Sequence, residues 1–219
     1  MTPLAPVQAI KATVISVVLA ITLGEIYQFT STLITPAWLA AATVNSVLAL
    51  ATLIYLKARA TGLLRSGPRI VYAPALAVLV GSTLLAKLTA QDTLVDVDRE
   101  KLWYFAASIL WIPVIEELVF RGSVSQLLKQ KVPPFWASWF SALIFTLVHG
   151  TPTLERILSG QLGFALGAFL LGICCEALVY FSGSLLPAVA LHAACNATVM
   201  IFGVINPRWL DWLGPLYLK

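Results

Sequence analysis

Apolar residues along the chain gather into seven long stretches separated by short polar, charged or proline-bearing breaks. They fall at about 7–29, 36–56, 70–89, 102–128, 134–150, 161–182 and 184–205. A helix that crosses the hydrocarbon core of a bilayer needs roughly 20 mainly apolar residues, and each stretch approaches that length. The pattern predicts an all-α fold, a polytopic transmembrane helical bundle of about seven to eight spans. The intervening segments are too short for a separate soluble domain, so 1–219 reads as a single membrane domain. The first stretch is too long for the apolar region of a signal peptide and has no convincing small-residue cleavage site after it, so it reads as a retained span. The tail beyond Pro207 carries Trp209, Trp212 and Tyr217, which suit interfacial anchors or part of an eighth segment. There is no internal repeat and no low-complexity tract.

Composition supports lipid as the solvent. Of the 219 residues 59% are hydrophobic and only 11% charged, with a mean hydropathy of +0.89, whereas soluble domains carry about 25% charged residues. The net charge of +4 is small, and no basic stripe interleaved with aromatics is present, which excludes nucleic acid as a partner. Where the charges fall is more telling. Lys57, Arg59, Arg65 and Arg69 lie in the second loop, Lys129 and Lys131 after the fourth stretch, and Asp92, Asp96, Asp98 and Glu100 between them. Short cytoplasmic loops are rich in Lys and Arg. The expected product is a multi-pass protein of the cell membrane with its N-terminus in the cytoplasm. Cys174, Cys175 and Cys195 lie in apolar stretches without a CxxC pair and read as packing residues. The sequon Asn196-Ala197-Thr198 is discounted as a glycosylation site for the same reason.

Polar residues inside the apolar stretches carry the candidate chemistry. An ionisable group deep in a bilayer costs roughly 2.5–3.5 kcal/mol on insertion scales, so it usually faces a cavity and has a role. The fourth stretch holds Glu116, Glu117 and Arg121, the fifth ends on His149, and the seventh holds His192 and Asn196. Glu117 and Arg121 are i,i+4 and pair on one helix face, and His192 and Asn196 share the same spacing. Glu116 lies about 16 residues before the Val132-Pro133-Pro134 turn and His149 about 17 after it, so both reach about 24–26 Å from the turn. His192 and Asn196 are about 9 and 13 residues past Gly183, or about 14–20 Å, a shallower position whose difference tilt and kinks can absorb, so three helices bring a carboxylate, two imidazoles and an amide toward one layer. A Glu beside a His can hold and deprotonate a water, and a further His and an Asn carry donors suited to a developing oxyanion. That is the minimum equipment for attack of water on a peptide carbonyl.

Glu116-Glu117-Leu-Val-Phe-Arg121 resembles the EExxxR motif of the CPBP family, which includes type II CAAX prenyl endopeptidases and the bacterial Abi proteins. Phe145-Thr-Leu-Val-His149 and His192-Ala-Ala-Cys-Asn196 resemble its FxxxH and HxxxN motifs, and Gly183-Ser184-Leu185-Leu186-Pro187 is also family-like. The motifs stand in family order over about 102–202 with no departure. On this resemblance 1–100 holds spans without a motif and 101–205 a catalytic core. The resemblance implies an intramembrane glutamic endopeptidase. Glu116 would activate water, His149 would position it, and His192 and Asn196 would stabilise the oxyanion. Glu117 and Arg121 would form a supporting internal pair. The implied substrate is a membrane-anchored or lipidated peptide cut near its C-terminus, with membrane lipid as the other partner and no cofactor or metal. Oligomeric state is not legible.

Three other classes remain open at this point. Glu and two His could bind zinc with Asn as a weak fourth ligand, although no HExxH-like cluster exists. A non-catalytic immunity or scaffold protein would keep the fold without the reaction. A transporter would be expected to show broken helices in two related halves, which the sequence lacks. Other features read as structural. Gly163-xxx-Gly167, continued by Ala168-xxx-Gly172, allows close helix packing. Pro113 removes the hydrogen bond to the Ile109 carbonyl and kinks the fourth span just before Glu116. Lys87 snorkels to the interface. Glu25 and Glu176, inside the first and sixth stretches, read as structurally paired or protonated acids.

Overall fold

Each of the seven apolar stretches forms a helix. The computed structural model describes residues 6–35, 37–59, 62–89, 99–150, 153–160 and 164–205, and among these there are helices and no strand. Helices α1 (Pro6–Leu33) and α2 (Ala37–Arg59) are followed by a 3-10 turn (Arg69–Tyr72) leading into α3 (Ala73–Leu88). Helix α4 is one continuous helical stretch, 99–129. It is α-helical at Arg99–Ala106, Ile112–Glu117 and Ser125–Lys129, and π-helical at Ala107–Trp111 and Leu118–Val124. Then come α5 (Pro134–His149), the short α6 (Leu154–Leu158), α7 (Leu166–Ser182) and α8 (Leu186–Ile205). The acidic stretch with Asp92, Asp96 and Asp98, the tail with Trp209, Trp212 and Tyr217, Gly163, and the side chains of Lys57, Arg59 and Glu100 lie outside the described residues.

Among the described residues, four helical segments are long and apolar enough to cross a membrane: Val14–Leu33, Arg69–Leu88, Leu102–Lys129 and Leu186–Ile205. The apolar parts of α2, α5 and α7 are shorter, at 10–17 residues. The protein is thus a helical membrane bundle, with spans of unequal length. The sixth stretch differs most from its reading as one span from 161 to 182. Its helix begins only at Leu166, after Ala165 in a non-helical conformation with φ −78° and ψ 89°. Glycines at 160, 163 and 167 dilute helix propensity at this end.

Local chemistry sets the ends. Pro134 occupies the first turn of α5, where its missing N–H costs nothing and its fixed φ suits the helix. Gly183 closes α7 in the left-handed region at φ 65°, and its N–H bonds the Val179 carbonyl. The turn that follows is not at the surface. Ser184 and Leu185 are buried. The Leu185 N–H donates to the Leu63 carbonyl at 2.8 Å, and the Ser184 hydroxyl donates to the Arg65 carbonyl. The α7–α8 turn and the 62–68 segment therefore share one end of the bundle, and α8 starts inside it. This is why His192, expected to be shallow, reaches the depth of Glu116.

In lipid there is little hydrophobic gain between helices, so association rests on close packing through small residues and on polar contacts. Helix α8 packs on α3 and α7, α5 on α7 and α1, and α2 on α1 and α4. Gly122 of α4 admits α2, since a Cβ there would lie 3.1 Å from Thr52 Cγ2. Gly172 of α7 admits α5, since a Cβ there would lie 3.0 Å from Ala142 Cβ and 3.2 Å from its Cα. At the π segment Leu118–Val124 the loosened carbonyls take side-chain donors: Ser141 Oγ reaches Phe120 O at 3.3 Å and Gln126 Nε2 reaches Arg121 O at 3.1 Å. Phe120, Ile144, Phe145 and Leu185 are fully enclosed.

The Gly172 contact gives a direct test. Gly172→Ala must displace the Ala142 backbone, so it should destabilise the protein by about 1–3 kcal/mol, the usual cost of overpacking. Gly81→Ala meets nothing within 4 Å and should be neutral. Thermal unfolding in detergent, compared between the two variants, reads the difference.

Candidate active site

Arg121 is fully enclosed, and its partners organise the centre of the bundle. Its Nη1 donates to Glu117 Oε1 at 3.1 Å, one helical turn back. Its Nη2 donates to the Gly172 carbonyl on α7 at 3.1 Å. Its Cζ lies 4.6 Å from the centre of the Phe145 ring on α5, a cation–π arrangement. Its Nε is 4.0 Å from Glu176 Oε1. The other oxygen of Glu176 accepts from Ser125 Oγ at 2.9 Å, Ser138 Oγ at 3.2 Å and Lys129 Nζ at 3.5 Å. Two buried carboxylates and two cations are thus interleaved across α4, α5 and α7, and Glu176 is structurally paired.

Glu117 has a second partner. The same Oε1 that binds Arg121 lies 2.9 Å from His192 Nδ1 on α8. With Arg121 beside it the Glu117 carboxylate acts as an acceptor, so Nδ1 carries the hydrogen and Nε2 faces the other way. His192 Nε2 is 3.6 Å from Glu116 Oε2. The second imidazole is fixed in the same manner: His149 Nδ1 lies 2.7 Å from the Phe145 carbonyl, which can only accept. His149 Nε2 is 3.9 Å from the same Glu116 Oε2. Phe145 forms the wall between the rings, with centroids 4.4 Å from His149 and 5.7 Å from His192. Burial is graded: His192 is 3% exposed, Glu116 12% and His149 36%. The cluster is therefore least enclosed on the His149 side.

Glu116, His149 and His192 stand together around one carboxylate oxygen. Asn196, one turn beyond His192, makes a different contact: its Nδ2 donates to the Ser108 carbonyl of α4 at 2.8 Å. Nearby, the Tyr27 hydroxyl of α1 donates to Asn45 Oδ1 of α2, and both side chains are buried. Glu25 is exposed on α1, where it accepts the Leu154 N–H at 2.9 Å and ties α1 to the segment after His149. Cys174, Cys175 and Cys195 are free thiols. Among the described residues no three His, Cys, Asp or Glu side chains are disposed to hold a metal ion.

Sequence reasoning missed the Glu117–His192 bond, because a separation of 75 residues leaves no spacing signal. His192 shares the oxygen that Arg121 already uses, so counting acids against cations did not point to it. The Tyr27–Asn45 pair had no motif to flag it.

Residues 98–198 match the model of the family described as type II CAAX prenyl endopeptidase Rce1-like. The matched region contains all seven motif residues and leaves α1 to α3 outside it. This region of the chain is similar to that family, which is one of membrane-embedded proteases. No curated protein and no solved structure matches the chain.

The buried pair gives the prediction here. Arg121→Ala leaves Glu117 and Glu176 without their shared cation, so it should cost about 3–5 kcal/mol and most of the folded yield in detergent. Glu117→Gln keeps the shape and one acceptor oxygen, so it should lower yield less while loosening His192. Size-exclusion profiles and melting temperatures of the two variants test that order.

Proposed function

We propose that this protein is an intramembrane endopeptidase in which Glu116 activates a water against a peptide bond. The substrate in this reading is a membrane-anchored or lipidated peptide, cut near its C-terminus. The observation that carries it is the placement of Glu116 Oε2 3.6 and 3.9 Å from two imidazole Nε2 atoms whose rings are both anchored through Nδ1. These separations exceed a direct hydrogen bond but suit a shared water at about 2.8 Å from each group. Such a water gives one hydrogen to Glu116 and the other to His149 Nε2. Its lone pair is left free to attack a carbonyl carbon.

The steps follow from this arrangement. As the water oxygen bonds to the carbonyl carbon, Glu116 takes one of its protons and the carbonyl oxygen becomes an oxyanion. His192, with Nε2 protonated, donates toward that oxygen, and the Glu117 carboxylate balances the charge on its ring. Asn196 uses one amide hydrogen on Ser108 and directs the second to the same oxygen. When the tetrahedral intermediate collapses, the carbon–nitrogen bond breaks and Glu116 returns the proton to the leaving amine. Glu117 and Arg121 hold the rings without touching the reacting atoms.

Cleavage of a membrane-tethered peptide by purified protein, assayed with a strong chelator present, tests this reading. The wild type should cleave, and Glu116→Ala should be inactive yet folded. His149→Ala should be nearly as severe, and Asn196→Ala should lose about 10²–10³ in turnover, as for loss of one oxyanion donor. Full activity of Glu116→Ala, or abolition by the chelator, would overturn the mechanism.

Orientation in the cell membrane follows from the basic loops. Lys57, Arg59, Arg65 and Arg69, with Lys129 and Lys131, are proposed to face the cytoplasm, which puts the N-terminus inside. Impermeant thiol labelling of single cysteines introduced at Arg65 and Lys131 should occur only after the membrane is opened; labelling in intact cells would invert the topology.

A further inference from the structure

A proline one turn before Glu116 would ordinarily leave the carbonyl four residues back, that of Ile109, without its donor. The π segment Ala107–Trp111 changes which carbonyl is affected. Here the Ile112 N–H bonds the Ala107 carbonyl, five residues back. In that register the next amide would serve the Ser108 carbonyl, and the next residue is Pro113, which has no N–H. Ser108 therefore loses its donor within the helix: Ile112 has used its own N–H, and Pro113 has none. A carbonyl in this buried position needs another donor, and it receives Asn196 Nδ2 at 2.8 Å from α8.

We infer that Pro113 is a positioning residue for the reaction: it frees the Ser108 carbonyl, and that carbonyl fixes the amide plane of Asn196. The inference rests on the proposed function for its catalytic consequence, but the coupling itself is a property of the fold. An amide has two hydrogens on one planar nitrogen. Holding one on Ser108 O sets the direction of the other, while a freely rotating amide would present oxygen or nitrogen to the site. The same bond pins α8 to α4 about two turns before Glu116 and one turn beyond His192. The kink is thus the source of an acceptor as well as a bend.

Pro113→Ala restores an N–H that competes for Ser108 O, and Pro113→Ser supplies the same N–H should the first variant express poorly. The expected result for Pro113→Ala is a fall in kcat of about 10- to 100-fold, the scale of a small misplacement of a reacting group. KM should not change, and the melting temperature should be equal or higher. In an Asn196→Ala background the same substitution should add nothing, because the two act through one bond. Side-chain amide NMR of selectively labelled Asn196 gives a readout without turnover: its Nδ2 resonances should shift in Pro113→Ala. Unchanged resonances would overturn the inference, as would full turnover or a loss that multiplies with Asn196→Ala. A wild type that cleaves no tethered peptide would instead remove the proposed function, with the NMR comparison still deciding the coupling.

Discussion

One carboxylate oxygen, Glu117 Oε1, holds the centre of this protein together. It accepts from Arg121 at 3.1 Å and from His192 at 2.9 Å in a fully buried setting. In a low-dielectric interior neither charge is tolerable alone, and breaking such a pair costs more than the pair contributes. The constraint spreads outward. Arg121 must also satisfy Gly172 and lie against Phe145, and that demands a glycine where α7 meets α5. His192 must turn Nδ1 inward, which points Nε2 at Glu116. The two neighbouring acids thus divide the work: one is committed to the scaffold, and the other faces the less enclosed side.

Helix α4 carries both acids, and its irregularity is part of how they are used. A regular α-helix places adjacent residues about 100° apart, and both acids lie between two π segments, Ala107–Trp111 and Leu118–Val124. Wider turns of this kind leave carbonyls for partners outside the helix. Ser141 of α5 and Asn196 of α8 each satisfy one, and Gln126 of α4 itself satisfies another. The backbone of α4 is therefore cross-linked to α5 and α8 by side-chain donors, which suits an environment where helix association cannot rely on expelling water.

Much of this was legible in the sequence, for physical reasons. A bilayer enforces long apolar runs, so the seven long helices could be located from the hydrophobic pattern, while the short α6 lies outside every run. The cost of an intramembrane charge singles out Glu116, Glu117, Arg121, His149 and His192 before any geometry is known. Equal distances from the 132–134 turn put Glu116 and His149 at one depth. Counting from Gly183 alone puts His192 shallower than Glu116, and what offsets the difference is a turn whose Ser184 and Leu185 are buried against the 62–68 segment. The carbonyl freed by Pro113 was assigned to Ile109 on α-helical spacing, and the π register moves it to Ser108. Partners such as Glu117–His192 and Tyr27–Asn45 depend on helix rotation, which uniformly apolar helices do not reveal.

The central claim is that Glu116 acts on water and never bonds to the substrate. Two carboxylate chemistries are open to a buried glutamate beside a peptide bond: general-base catalysis, and nucleophilic attack through an acyl intermediate. Oxygen labelling separates them. In a single turnover in ¹⁸O-water with excess enzyme, the account predicts one labelled oxygen in the new C-terminal carboxylate of the product and none in the protein. Label recovered in the Glu116 carboxylate would contradict it.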